Sequence, residues 1–379
     1  MTTVDEVVHR HLLDRAGAEL PGRGHIAELI RRMDPLLPAD EVAAAVARVT
    51  ARVSGLGPLE SLLADPLVSD VLVNGPGPVW MEREGVLERT SLELDRPTIE
   101  LIIERVLAPL GRRVDPLSPV ADGRLADGSR VHVIVPPLAV DGPCLTIRRF
   151  GARAASLDDM AAPHMVDLLR WAVRSRCNVL VVGATGSGKT TLLNAMAAHI
   201  PPHERVVTVE DAAELRLPSE HVIRLETRPA SAEGTPAVTA RELVRNALRM
   251  RPDRLIIGEV RSGEALDLVQ AMNTGHNGSL STLHANGCND ALHRLETLVL
   301  LAGVGLPLDA VRSHLAAAVD LVVHVERAGS GVRRVVAVAE VASGPPAPGE
   351  APAVRLLADA ERVIGEAVRG SRLSAGDAP

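Results

Sequence analysis

The chain has no tyrosine, one phenylalanine (Phe150) and two tryptophans (Trp80 and Trp171). Its core must therefore be built from Leu, Val, Ile and Ala. Sequence-tolerant binding of single-stranded nucleic acid relies on aromatic faces for base stacking, and this chain has almost none. A net charge of −7 and an isoelectric point near 6.0 also argue against a basic nucleic-acid clamp. Cysteine is scarce as well. Cys144, Cys177 and Cys288 lie far apart and make no CxxC pair. Neither structural zinc nor a disulfide framework is expected, and a reducing cytoplasm fits. The N-terminal stretch MTTVDEVVHRHLLDR lacks the apolar centre of a signal peptide. No apolar run reaches the ~18 residues of a membrane helix; LVLLAGVGL (298–306) comes nearest and is broken by glycines. Lysine is scarce too. Of 41 lysine and arginine residues one is lysine, Lys189.

A length of 379 residues predicts two or three domains and a sizeable core. Residues 1–50 read as a helical lead-in: Val4, Val7, Val8 and Leu12 share one helical face, and Val42, Val46, Val49 and Val53 another. Residues 51–145 read as a small α/β domain. DVLVNGPGPVWME (70–82) is strand, Asn-Gly turn, strand. PTIELIIERVLAPLG (97–111) is a helix stopped by Gly111. GRLADGSRVHVIVPPL (123–138) is a hairpin turning at Asp127-Gly128. Residues 146–162 lose apolar periodicity and read as a linker. From 163 to 342, strands at 177–183, 205–211, 253–259 and 278–285 alternate with helices, one of them opened by a Thr239–Glu242 capping box. This alternation predicts a mostly parallel sheet covered by helices. Residues 343–379 read as a flexible Pro/Ala-rich tail with a short helix at 354–369.

GATGSGKT (183–190) fits G-x-x-x-x-G-K-[ST], with a buried strand before it and an apolar helix after it. Gly183, Gly186 and Gly188 let the backbone N–H groups of Ala184, Thr185, Ser187 and their neighbours turn inward on phosphates. The helix start at Lys189, Thr190 and Thr191 adds its positive dipole end. Lys189 reaches the β- and γ-phosphates and the Thr190 hydroxyl is offered to Mg²⁺. Arginine carries the positive charge everywhere else, but a flat guanidinium is too wide for this slot, whereas an ammonium is compact.

DRLIIGEV (253–260) ends an apolar strand in Gly258 and Glu259. An aspartate often stands before such a glutamate and helps hold magnesium; here glycine does. Glu259 is the expected base or orienter of the attacking water. VEDAAEL (209–215) supplies a second acidic strand end, so Glu210 is the expected magnesium carboxylate, directly or through water, with Asp211 and Glu214 as alternatives; a solvated acidic turn is the bland reading. In GHNGSLSTLHAN (275–286), His284 at a third strand end is a candidate γ-phosphate sensor. His276 reads equally well as a structural histidine. Arg124 and Arg130 flank the hairpin turn and should face each other, which calls for an anion: either Asp122 and Asp127 or a triphosphate. Arg241, Arg245 and Arg249 form a helical stripe, either a solvated face or a subunit interface.

Together these motifs resemble the secretion-ATPase superfamily of type II secretion, type IV pili and type IV secretion, over about residues 55–342. GATGSGKTT, VEDAAEL, LRMRPDRLIIGEVR and GHNGSLSTLHAN look like its Walker A, aspartate-box, Walker B and histidine-box segments. The family commonly has glycine in place of the Walker B aspartate. LVNGPGPVWMEREG and SPVADGRLADGSRVHVIVPPL look closest to the Tad/Flp pilus ATPases. The resemblance implies an α/β fold: a RecA-like P-loop ATPase domain behind a smaller, PAS-like α/β domain and the lead-in. It implies Mg²⁺-dependent ATP hydrolysis by a homo-hexamer. It also implies a cytoplasmic location, peripheral to the membrane through inner-membrane platform proteins of a pilus or secretion system, with no nucleic acid as partner. Arg124 and Arg130 would engage the nucleotide phosphates, with Arg148 and Arg149 of TIRRF beside them. The tetracysteine zinc module of many relatives is absent, and the lead-in is short. The alternative function is a nucleic-acid-handling RecA-type motor.

Overall fold

The computed structural model describes residues 23–149, 155–228, 230, 236–328 and 331–367. The expected helix at 4–15, Phe150 with the residues after it, and the end of the tail lie outside the described residues. The chain divides into two compact units, Met1–Arg153 and Ala154–Pro379.

In the first unit, helices α1 (Arg23–Met33) and α2 (Ala39–Ser54) pack through Ile26, Leu29, Ile30, Val42, Ala45 and Val49. A short helix, α3 (Glu60–Ala64), leads into a six-stranded sheet. Its strands are β1 (Val68–Asn74), β2 (Gly77–Arg83), β3 (Val86–Leu94), β4 (Val120–Arg124), β5 (Arg130–Ile134) and β6 (Cys144–Arg148), in the order β3-β2-β1-β6-β5-β4. All its pairs are antiparallel. Strand alternation sorts its residues: Val71, Val73, Val79, Val131, Val133, Leu145 and Ile147 face the core. Helix α4 (Arg96–Leu107) covers that face with Ile99, Ile102, Ile103, Val106 and Leu107. Asp95 caps it by accepting from Thr98 N at 3.0 Å, and Gly111 ends the following turn at φ 63°.

The second unit holds helices α5 (Leu157–Met160), α6 (Pro163–Arg174), α7 (Lys189–Ala197), α8 (Ala240–Ala247), α9 (Glu264–Asn273), α10 (Cys288–Leu301) and α11 (Leu308–Ala318). Its strands are β7 (Val179–Val182), β8 (Val206–Glu210), β9 (Val222–Glu226), β10 (Arg254–Val260), β11 (Leu280–Leu283), β12 (Leu321–Arg327), β13 (Arg333–Val341) and β14 (Val354–Asp359), in the order β14-β13-β12-β7-β11-β10-β8-β9. The run from β12 to β9 is parallel, and β13 and β14 add antiparallel strands at one edge. Helices cover both faces, so β7 and β8 are buried along their whole length. Among the described residues, no helix is long and apolar enough to cross a membrane.

Three sequence expectations differ from this. The linker at 146–162 is partly structured: β6 runs to Arg148, and Ser156 and Asp159 form a capping box that starts α5. That box has Asp where the usual signal has Glu or Gln. The short helix expected at 354–369 is instead β14, which pairs with the open edge of β13 and buries Leu357 and Ala358. An unpaired edge calls for a partner, and this outweighs the Ala-rich composition. Strands β3, β9, β12 and β13 also lie where no strand was expected. The Thr239–Glu242 capping box is present.

At the N-terminal end of β10, Arg254 is fully buried and meets Glu204 in a forked pair at 2.5 and 3.1 Å, while also donating to Val173 O at 2.7 Å. Gly278 makes room for it: a methyl there would lie 2.7 Å from Arg254 Nη1. Removing one partner of a buried pair leaves a charge without compensation. Glu204→Gln should therefore destabilise the second unit by about 3–5 kcal/mol. Urea unfolding followed by Trp171 fluorescence in a Trp80→Phe background isolates that unit. An unchanged midpoint would show that Arg254 is neutralised by other groups.

Candidate active site

A parallel sheet brings the C-terminal ends of its strands to one edge. Here β7, β11, β10 and β8 are consecutive neighbours. The phosphate loop follows β7, His284 follows β11, Glu259 lies near the end of β10, and Glu210 ends β8.

The loop is a tight cradle. Gly183, Gly186 and Gly188 have φ of 154°, 72° and 98°. A methyl at Gly183 would lie 2.2 Å from Val325 O and 2.6 Å from Ser187 Oγ. Ser187 Oγ is buried without a hydrogen-bond partner, and Ala184 and Thr185 are exposed at the lip. Gly188 caps α7, whose first turn carries Lys189, Thr190 and Thr191. The Lys189 ammonium donates to Gly183 O at 3.1 Å and Ala184 O at 3.0 Å. It lies 3.4 Å from both ring nitrogens of His284, so it faces the ring as a whole and not one lone pair. Burial pulls the Lys189 pKa down, and Glu259 opposes that pull. Burial also lowers the His284 pKa, again against Glu259.

His284 Nε2 is 2.6 Å from Glu259 Oε1, a close polar approach without hydrogen-bond alignment that becomes an ion pair when the ring is protonated. Glu259 Oε2 accepts from Arg261 at 2.5 Å, and Arg261 reaches Asp211 at 3.2 Å. Lys189, His284, Glu259, Arg261 and Asp211 are thus one continuous chain of polar groups. Arg261 was missed in the sequence. Its signal was GEVR, a basic residue two positions after the glutamate, just beyond the end of β10.

A bulge aims Glu259. Ile257 pairs with Ser281 and Val260 with Leu283, so β10 carries one more residue than β11 between those pairs. The carbonyls beside it are held by hydroxyls: Ser281 Oγ donates to Ile257 O at 2.9 Å and Thr282 Oγ1 to Gly258 O at 2.7 Å.

Glu210, expected to serve magnesium directly or through water, also has a structural task. Its Oε2 accepts from Glu214 N at 2.7 Å and Leu215 N at 2.9 Å, and Oε1 from Thr208 Oγ1 at 3.3 Å. Burial raises its pKa, and those N–H groups oppose the rise. Its carboxylate thus pins the loop that follows β8, which also hangs on Glu226 and Asn194. Glu210 also explains the glycine in β10. A methyl at Gly258 would lie 2.9 Å from Glu210 Cγ, so the Glu210 side chain fills the space an aspartate at 258 would need. Among the described residues no three His, Cys, Asp or Glu side chains converge as a metal cage. The donors that fit a magnesium ion beside bound phosphates are the Thr190 hydroxyl and whatever acceptor capacity Glu210 retains; Mg²⁺ usually keeps several waters and few protein ligands.

His276 precedes β11 and so lies at the other end of that strand from His284; its Nδ1 is buried without a partner. Arg241 and Arg245 both grip the buried carboxylate of Asp267 at 2.9 Å, which accounts for two of the three arginines in that stripe. In the first unit, Arg124 stands opposite Arg130, and Arg130 opposite Arg148, three arginines in one row across β4, β5 and β6. Asp122 is taken by His132 at 2.7 Å, and Asp127 caps its own turn at Ser129. Arg149 is turned elsewhere, donating to Asp65 O and to Val68 O. Arg148 ends β6 and stands in the row, while Arg149 lies just beyond that strand.

Gly258→Asp should not repair the site but overpack it, at a cost of about 1–3 kcal/mol. The penalty should shrink when Glu210→Ala is combined with it, in a double-mutant cycle read by unfolding. An equal penalty in both backgrounds would mean that Glu210 does not occupy that space.

The family model "Type II/IV secretion system protein" matches residues 52–340. Putative conjugal transfer protein Rv3659c of Mycobacterium tuberculosis is 40% identical over 316 residues, which cover 80% of this chain and 89% of that protein. Type IV secretion system protein PtlH of Bordetella pertussis is 37% identical over 314 residues, covering 74% and 92%. The fold resembles the X-ray structure of the Legionella pneumophila ATPase DotB, with a TM-score of 0.53 at 22% identity, over 73% of this chain and 76% of that one. The chain belongs to the type II/IV secretion system protein family.

Proposed function

We propose that the chain is a Mg²⁺-dependent ATPase that works as a motor of a secretion or pilus system. The observation that carries this is the convergence of the phosphate cradle, Lys189, His284 and Glu259 on one sheet edge. The loop N–H groups and the α7 N-terminus hold the phosphates, and Lys189 neutralises charge on the β- and γ-oxygens. Glu259 takes the proton of the water that attacks the γ-phosphorus. The bond from that phosphorus to the β-bridging oxygen breaks, releasing ADP and orthophosphate. His284, between Glu259 and Lys189, orients the carboxylate and reads the γ-phosphate. Arg261 keeps Glu259 in place. Magnesium, when bound with ATP, screens the phosphate charge; Thr190 and Glu210 are its ligands in this reading.

Arg124, Arg130 and Arg148 supply further positive charge to the phosphates. The three guanidiniums stand in one cross-strand row, a concentration of positive charge that suits a polyanion, with Asp70 4.0 Å from Arg148 at its end. The finer reading is a homo-hexamer on the cytoplasmic side of the membrane, driving Tad/Flp-type pilus assembly or protein export through inner-membrane platform proteins. Its support is the resemblance of residues 72–85 and 118–138 to Tad ATPases.

Glu259→Gln should retain nucleotide binding and lose hydrolysis by about 10²–10⁴-fold. Loss of binding with unchanged turnover of the bound fraction would remove Glu259 from the base role. Arg124→Ala and Arg130→Ala should cut turnover far more than affinity, towards the ~10³–10⁵ that an arginine aimed at transferred phosphate contributes. Turnover within about threefold of wild type would confine them to their own unit. ATPase stimulation by DNA, and not by membrane-platform partners, would favour the nucleic-acid motor.

A further inference from the structure

β7 has a second neighbour. His284 arrives on one side of the phosphate loop from β11, and β12 lies on the other. β12 packs hard against the loop, since the methyl that Gly183 lacks would meet Val325 O. Two residues on, Arg327 stands directly opposite Arg333 at the end of the β12–β13 hairpin. Val325 and Val335 are a buried pair in the same ladder. By strand alternation the two arginines extend the face that carries those valines. That face meets the loop. A methyl on Gly186 would lie 3.5 Å from Arg327 Nη1, and one on Gly188 would lie 2.8 Å from Arg333 Cδ and 3.3 Å from its Cβ. Both arginines are partly buried there.

We propose that Arg327 and Arg333 clamp the α,β-diphosphate of the bound nucleotide, and so set affinity for nucleoside di- and triphosphates alike without acting on the hydrolytic step. The proposal rests on the reading of residues 183–190 as a nucleotide site. Glu259 and His284 come from β10 and β11, so the bond that breaks lies on that side of the loop. The arginine pair comes from the opposite side. Backbone N–H groups of such a loop cradle the α- and β-phosphates, and a guanidinium fork matches phosphate oxygens in a way an ammonium does not. Two guanidiniums set opposite each other on one hairpin can both offer donors to the same diphosphate. Cations near the α- and β-phosphates see almost the same charge before and during cleavage of the terminal group. They therefore contribute uniform binding, which lowers KM without raising kcat.

The test measures ADP and pyrophosphate binding by calorimetry, with steady-state ATPase kinetics, on the full chain. Wild type is compared with Arg327→Gln, Arg333→Gln and Arg327→Lys, and with Lys189→Ala as a site control. Each glutamine variant should weaken ADP and pyrophosphate about tenfold, the loss of one charged hydrogen bond. KM for ATP should rise in step while the saturating rate changes far less. Arg327→Lys keeps the charge but not the fork, and should fall between the two. It also carries the test if a glutamine variant melts early. Unchanged ADP affinity in these variants would overturn the clamp. So would a loss of ADP affinity with pyrophosphate unaffected, which would move the arginines to the nucleoside. A fall in kcat with unchanged ADP affinity would make them transition-state residues and overturn it as well. Failure of wild type to bind ADP or pyrophosphate at all would instead overturn the nucleotide reading of the loop, and the clamp with it.

Discussion

The site is organised around one buried ammonium. Lys189 is short of water, and burial depresses its pKa. An ammonium in such a place stays charged only if nearby groups replace its hydration. Two loop carbonyls do so directly, and the Glu259 carboxylate does so across the His284 ring. The carbonyls point inward only because Gly183, Gly186 and Gly188 take backbone angles that a side chain would resist. The carboxylate is within range only because β10 bulges at its end. Thus the glycines, the bulge and the strand order serve a single electrostatic requirement.

The bulge has its own cost, because it removes ladder partners from carbonyls in a dry interior. Ser281 and Thr282 meet that cost with buried hydroxyls. Two polar residues in the middle of a fully buried strand look like poor strand choices by composition. They are there for the neighbouring strand, not their own. Their removal would leave buried carbonyls without donors, and Glu259 would lose the backbone that aims it.

Much of this was legible in the sequence, for a physical reason. The phosphate loop is local: its glycines, its lysine and its flanking elements are contiguous, so residues 183–191 announced themselves. The parallel sheet was legible because buried strands and amphipathic helices alternate with different periods. Arg124 opposite Arg130 followed from a hairpin with a recognisable turn. What escaped depends on pairings between distant segments. Nothing near Arg148 says that it falls beside Arg130 while Arg149 turns to the carbonyls of Asp65 and Val68. Nothing in VRLLAD says that β13 leaves an edge for it. Composition spoke for a loose tail, and the open edge decided otherwise.

Glu210 shows what the fold adds to a sequence letter. As a sequence letter it is an acid at a strand end near a phosphate loop, and a metal role follows naturally. In the fold its carboxylate closes the loop after β8 through two backbone N–H groups, and its methylenes occupy the space beside Gly258. The glycine at 258 and the glutamate at 210 are therefore one feature seen from two strands. A parallel sheet sets neighbouring strands about 4.8 Å apart, too close for two inward carboxylates to ionise side by side without a cation between them. The chain keeps one, on β8, and leaves the adjoining position of β10 without a side chain. Glu259, one residue further along the bulge, is then free to face His284 and the phosphate loop.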